Sequence, residues 1–302
     1  MKTPAETLQR FFAAPLLAFS SAWLIFLCEY SSAQISIQVG STATENFSVG
    51  TSPTATVPAD WRVDKINSAR TVGTYAAALG ATEQRAGDNM ATGATQGIYN
   101  YAAGDPTLSA ERAIGFLSSG TATYSGNLYS YFINTGACGI TNFDVSYNVE
   151  KYRMGSNPAG YTIQLYYSLD GSTWTSAGAS FTTSFAFDGS NNGYVSAPGS
   201  STPVSGTITL MVASGGSLYL AWNYSVTSGT TYTNAQGLGI DDFTITNIQS
   251  GGVQTTWYFR SATTGNWNAT STWESSADGM TCWGPATTTD RKSTRLNSSH
   301  RT

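Results

Sequence analysis

Charged residues make up only 11% of this 302-residue chain, histidine occurs once and cysteine three times. An average soluble domain is about a quarter charged, so the composition argues against long solvated helices and coiled coils. The single histidine is His300, and none precedes it. Ser-His-Asp, Cys-His and His-metal chemistry therefore have no base or ligand in residues 1–299. Residues 290–302 carry four of the 14 basic residues and one of the 18 acidic ones, so the formal net charge moves from −4 to −7 without them. So acidic a chain is repelled by phosphate backbones, which argues against nucleic acid as a direct partner. What is abundant instead is Ser, Thr and Gly beside 17 Tyr, 13 Phe and 8 Trp. That mixture favours pleated strands joined by short polar turns.

The N-terminus reads as an export signal. Lys2 and Arg10 precede an uncharged, mainly apolar run from Phe11 to Leu27, and Ser31-Ser32-Ala33 supplies the small residues a signal peptidase needs. Residues 1–33 are thus expected to be a signal peptide cleaved after Ala33, with the protein secreted or held at the cell surface. The alternative is an uncleaved anchor, since the run sits at the short limit of the roughly 17–25 residues that span a bilayer. Membrane contact is expected by that route alone. Cys28 follows Leu27 rather than a small residue, which argues against lipidation. Cys138 and Cys282 could pair in an oxidising compartment, but they lie far apart, in different predicted modules, and are read as unrelated thiols.

At the other end, Asp290 to His300 (DRKSTRLNSSH) matches residue for residue the in-frame translation of a short-read sequencing adapter, and composition turns abruptly basic there. Residues 290–302 are therefore expected to be artefactual, the alternative being a natural basic tail. On the first reading the natural protein continues past Thr289 and the chain is an N-terminal fragment.

Between these ends the strand signal is strong. Phe143, Val145, Tyr147 and Val149 alternate with Asp144, Ser146, Asn148 and Glu150, the period of a strand with one buried face. Tyr161 to Leu169 repeats the pattern before an Asp170-Gly171 turn, and the two segments are expected to be neighbours in one sheet. Further strands are predicted at 36–39, 129–134, 181–187, 207–212, 218–224 and 239–246. The predicted class is all-β, an antiparallel two-sheet jelly-roll-like sandwich over residues 34–250, followed by a truncated second β module at 251–289.

Several motifs then become recognisable in order: Glu45-Asn-Phe47, Pro58-Ala-Asp-Trp61, Arg112-Ala-Ile-Gly-Phe-Leu117 with Ser118-Ser-Gly120, Val149-Glu-Lys-Tyr-Arg153, Asp170-Gly-Ser-Thr-Trp174 and Gly239-Ile-Asp-Asp-Phe243. Together they resemble the jelly-roll-like N-terminal domain of secreted, multidomain Bacteroidota-type proteins, over about residues 40–248. The resemblance implies a non-catalytic sandwich and names no ligand. It departs at Ala221, where relatives tend to carry Arg before the Trp. Thr256-Trp-Tyr-Phe-Arg260, Gly265-Asn-Trp267, Ser271-Thr-Trp273 and Gly284-Pro285 are similar to the opening of Trp-rich β-solenoid modules. A single solenoid coil cannot bury its apolar face alone, so this stretch is expected to pack poorly.

Three constellations could carry chemistry. First and last strands tend to adjoin in such sandwiches, which would join Glu45 to Asp241 and Asp242 in a cluster without a nearby cation in sequence. Oxygen-only ligands suit Ca²⁺, so calcium is a candidate cofactor, the alternative being solvated or locally hydrogen-bonded acids. Glu150 and Asp144 lie six residues apart on one strand, roughly 20 Å, too far for a glycosidase pair. An ion pair of Glu150 with Lys151 or Arg153 is expected instead. Lastly, Tyr166 and Trp174 are candidates for stacking on an extracellular glycan or cell-surface polymer, whereas Tyr167 shares the inward face of Ile163 and Leu165. The expected function is a non-catalytic binding or adhesion module. The alternatives are an accessory domain of a secreted hydrolase or nuclease whose catalytic domain is missing here, and a structural spacer.

Overall fold

A computed structural model of the chain describes residues 34–250, 258–266, 268–276 and 283–286. The predicted signal peptide, the adapter-like tail, Trp267 and Cys282 lie outside the described residues. Two large sheets pack face to face. The first contains β1 (Ile35–Ile37), β3 (Trp61–Ile66), β7 (Ser125–Asn134), β9 (Tyr161–Ser168), β10 (Thr175–Ser176), β11 (Thr182–Phe185) and β13 (Ser217–Val226). The second contains β2 (Ala43–Glu45), β4 (Gln84–Ala86), β5 (Gly97–Ala102), β6 (Arg112–Leu117), β8 (Ile140–Arg153), β12 (Ser200–Val212) and β14 (Gly237–Gln249). Pairing is antiparallel except where β1 lies along β7 and β4 along β5. Only short 3-10 turns occur among the described residues. No helix among them is long and apolar enough to cross a membrane.

Alternation decides which side chains face inward. Leu128, Phe132, Ile163, Leu165, Leu218, Leu220 and Trp222 of the first sheet meet Phe143, Val145, Tyr147, Ile240, Phe243 and Ile245 of the second in one buried core. Its centre is aromatic. Trp222 stacks on Trp61 at 5.5 Å, and the edge-on rings of Phe243 and Tyr147 reach it from the opposite sheet at 5.4 and 5.6 Å. Phe47 closes the group edge-on to Trp61 at 4.8 Å. Edge-to-face contacts add to the area these rings bury. Near one end the sheets approach so closely that a Cβ on Gly126 would stand 2.2 Å from the Phe116 ring.

The predicted pairing of the 143–150 and 161–169 segments is corrected. β8 has β12 on one side and β14 on the other, so no edge of it is free for β9, which pairs with β13 in the opposite sheet. The connection crosses between sheets through Asn157, whose Nδ2 donates to Thr231 O and Thr233 O, and Gly160. Gly160 has φ +65°, and a Cβ there would lie 2.1 Å from Phe185 O, so this crossing requires glycine. A second correction concerns Cys138, in the turn before β8: it is disulfide-bonded rather than a free thiol. Cys28 and Cys282, the other cysteines, lie outside the described residues.

Apart from the sandwich, β15 (Tyr258–Ser261), β16 (Trp273–Ser276) and β17 (Gly284–Pro285) form a three-stranded antiparallel sheet. Trp273 is buried there, and Arg260 pairs with Glu274 at 2.8 Å.

The central rings yield a first prediction. Trp222→Ala should cost about 3–5 kcal/mol, as expected for deleting a buried aromatic, in urea unfolding followed by circular dichroism. A loss under about 1 kcal/mol would show that the sheets are held together elsewhere.

Candidate functional site

The acidic end of the second sheet is built by a bulge. The β14–β8 register shifts between Asp241 and Thr244, and Asp242 takes φ +49°. A bulge adds one residue to one strand and re-aims its side chains. Here the Asp242 N–H donates to Asp241 Oδ1 at 2.7 Å, and Asn148 Nδ2 donates to Asp242 Oδ2 at 2.9 Å. The first-and-last-strand expectation places β2 beside β14, with Glu45 opposite Phe243. Glu45 and Asp242 line one shallow depression of about 310 Å³. Glu45 Oε1 also accepts the Phe47 N–H at 2.8 Å, which holds Phe47 in its left-handed turn.

The carboxylates that converge most tightly are Glu111, Asp241 and Asp242, with one oxygen from each within 4.8 Å of the others. Glu111 immediately precedes β6, which pairs with β14 through Ile114 opposite Ile240. Sequence reasoning missed it because only that register carries it to Asp241. None of the three forms an ion pair among the described residues. Asp241 is fully buried. Burial first, and then its contact with the Glu111 carboxyl and the nearby Asp242 and Glu150 charges, push its pKa up to about 9.

Glu150 does not make the expected ion pair. It accepts the Tyr152 hydroxyl at 2.5 Å, while Lys151 pairs with Asp188 at 2.6 Å and Arg153 donates to the carbonyls of Met154, Ala235 and Thr92. The reason is the side-chain geometry at the end of β8, where Tyr152 lies stacked on Tyr101 at 4.4 Å with its hydroxyl beside Glu150. Asp144 sits six rungs away, accepting Asn247 Nδ2 at 2.6 Å and the Thr207 hydroxyl.

The outer face of the first sheet divides into two halves. Over one, the 69–78 loop lays Tyr75 against Tyr131 and Tyr219, and these rings with Ala78, Tyr129 and Ala221 form a second apolar cluster. Ala221, where the resemblance would place Arg, is buried beneath it. Trp174 belongs to this cover. Its Nε1 donates to Gly73 O at 2.7 Å and its ring leans on Tyr129 at 5.5 Å, so it anchors the loop and does not line the neighbouring groove.

The other half stays open as a groove of about 240 Å³. Tyr166, in register with Ala221, borders it; its floor and walls are Gln164, Asn223, Ser225, Thr162, Ser184 and Arg70. These groups are already oriented by one another. Thr162 Oγ1 lies 2.8 Å from Ser184 Oγ and 2.7 Å from Thr227 Oγ1, and Asn223 Nδ2 donates to Asn127 Oδ1 at 2.6 Å. The Tyr166 hydroxyl has no hydrogen-bond partner among the described residues, and Tyr167 instead packs against the main core.

No protein family and no curated protein matches the chain. Among solved structures it is similar to the K1 cleaved adhesin domain of Lys-gingipain from Porphyromonas gingivalis, at 14% identity and a TM-score of 0.35, covering 70% of this chain and all of that one. It is also similar to the CBM22-1 xylan-binding domain from Paenibacillus barcinonensis, at 10% identity and a TM-score of 0.31, covering 71% and 99%. A third similarity is to TmCBM61 in complex with β-1,4-galactotriose, at 14% identity and a TM-score of 0.27, covering 67% and 97%.

The buried carboxyl gives a pH prediction. In the folded chain Asp241 keeps its proton up to about pH 9, whereas the unfolded chain releases it near 3.8. The folded state holds the extra proton between those values, so stability falls as pH rises through that window. With divalent cations chelated, the melting temperature should therefore decline from pH 5 to pH 8, and Asp241→Asn should flatten the decline. Equal slopes in parent and variant would remove Asp241 as the cause.

Proposed function

We propose that residues 34–250 form an extracellular saccharide-binding module that binds without cleaving, and that the open groove on the first sheet is its ligand site. The observation that carries this reading is the groove's chemistry. A half-buried aromatic ring, Tyr166, borders the groove while also packing on the neighbouring apolar cluster, and beside it lies a floor of hydroxyl and amide groups held in place by hydrogen bonds, the pairing of apolar area with a few fixed polar groups that saccharides require. Pre-ordered donors and acceptors also lower the ordering cost of binding. Tyr166 is the stacking ring in this reading, and Trp174 supports it by fixing the loop alongside. Tyr166→Ala should lower affinity for a bound oligosaccharide at least tenfold, measured by calorimetry against an oligosaccharide panel, while the melting temperature stays within a few degrees of the parent. Undiminished binding would move the site off this groove.

Calcium belongs to the same proposal as a stabiliser on the opposite sheet. The donor set fits, since Glu111, Asp241 and Asp242 offer carboxylate oxygens alone and hard oxygen ligands suit Ca²⁺. Glu45, on the strand beside Asp242, flanks them. A cation there would offset the repulsion between the acids and favour ionised Asp241. Millimolar calcium should raise the melting temperature relative to EDTA, with a gain of about 2.7 kcal/mol at a hundredfold excess over Kd, and Asp241→Asn with Asp242→Asn should abolish the rise. A parent chain indifferent to calcium would refute this part and leave the groove reading intact.

A further inference from the structure

The groove's single charged residue singles out a ligand class. Arg70 lines it together with uncharged side chains, and no Asp, Glu or Lys joins them. Its backbone takes φ +51°, a conformation unusual outside glycine, and is pinned there by a hydrogen bond from its N–H to Ser225 Oγ at 2.9 Å. The side chain is fixed as well: Nη1 donates to Val226 O at 3.2 Å and to Gly229 O at 3.1 Å. Both tethers are neutral carbonyls. No carboxylate pairs with Arg70 among the described residues, and its Nε and Nη2 donors have no hydrogen-bond partner there. A guanidinium held by one nitrogen and free along its Nε–Nη2 edge presents two parallel N–H donors, the geometry that grips a planar acid group with two hydrogen bonds.

A neutral sugar gains little from a fixed, uncompensated cation, whereas an acidic one gains a charge-assisted bidentate contact. The chain's net charge is negative, so attraction for an acid group comes from this local contact and not from the chain's overall field. Resting on the groove reading above, we propose that the groove selects an acidic saccharide, with a uronate carboxylate or sulfate ester on the Arg70 guanidinium and a neighbouring sugar ring against Tyr166. Thr162, Ser184, Gln164 and Asn223 then supply the hydroxyl contacts between them.

The test uses the full chain and matched probes differing only in charge: short oligogalacturonides and their methyl esters for the carboxylate, and carrageenan oligosaccharides with their desulfated forms for the sulfate. At least one acidic probe is expected to bind at least tenfold more tightly than its neutral counterpart, and the pair that discriminates identifies the acid group. That preference should shrink as sodium chloride rises from about 20 to 500 mM, because screening weakens a partly exposed charge contact. Arg70→Gln should remove the preference by weakening acidic-probe binding at least tenfold more than neutral-probe binding, and Arg70→Lys should restore only part of the difference. The salt titration on the unaltered chain stands even if the variants fold poorly. Equal affinity for acidic and neutral probes, or a preference that survives both salt and Arg70→Gln, overturns this inference and spares the groove. If no probe binds, or Tyr166→Ala leaves all binding intact, the groove reading falls and the inference falls with it.

Discussion

The contact on which this molecule depends is the aromatic knot between the sheets, where Trp222 of the first sheet meets Phe243 and Tyr147 of the second while lying against Trp61. Each ring comes from a strand whose alternate residues face outward, so seating the rings fixes the orientation of both outer faces at once. A one-residue slip of β13 would turn Trp222 outward and bring Asn223 and Ala221 into the core. The burial of large rings at a single crossing therefore specifies register as well as stability.

From that register follows the division of the first sheet's outer surface. Ala221 lies between Tyr129 on one neighbour and Tyr166 on the other. Its small side chain leaves a hollow that the 69–78 loop fills with Tyr75, locked by the Trp174–Gly73 hydrogen bond and by the Tyr75 N–H to Gly171 O at 2.9 Å. Two residues further along each strand, the outward positions become Asn127, Asn223 and Gln164, and Asn127 and Asn223 donate to Thr71 O of the same loop, so its apolar cover gives way to a polar edge. The open groove begins there. The same loop that closes one half delivers Arg70 to the edge of the other, so cover and candidate ligand contact share one anchor.

Much of this was legible in the sequence where strands have one buried and one wetter face. β8 and β9 announced themselves by alternation, and Tyr166 was correctly set on the opposite face from Tyr167. β5 and β6 did not, because every residue of Gly97–Ala102 and Arg112–Leu117 is buried and a run buried on both faces has no period. Their outward rings Tyr99 and Tyr101 stack at 4.9 Å, and Tyr101 stacks on Tyr152 beneath. Sheet membership was likewise invisible, since alternation identifies a strand's faces but not its partners. That is why β9 was expected beside β8, and why Glu111, displayed only through the β6–β14 pairing, went unnoticed beside Asp241. Arg70 escaped for a related reason: its place depends on a left-handed loop residue whose partners, Ser225 and Val226, lie far along the chain.

The two candidate sites occupy opposite sheets, yet they share the knot. Asp242 and Phe243 are consecutive, so the bulge that aims the Asp242 carboxyl outward also sets the angle at which Phe243 meets Trp222. Trp222 is in turn flanked by Ala221, under the loop cover, and Asn223, on the groove floor. A cation at the acidic end would thus act on the groove by holding the sandwich in its folded register, because no charged group of one site touches the other. Coupling of that kind changes how much of the chain is folded and able to bind, not the affinity of the folded molecule. In the proposed reading the acidic end acts on stability and selectivity belongs to the few groove residues around Tyr166 and Arg70.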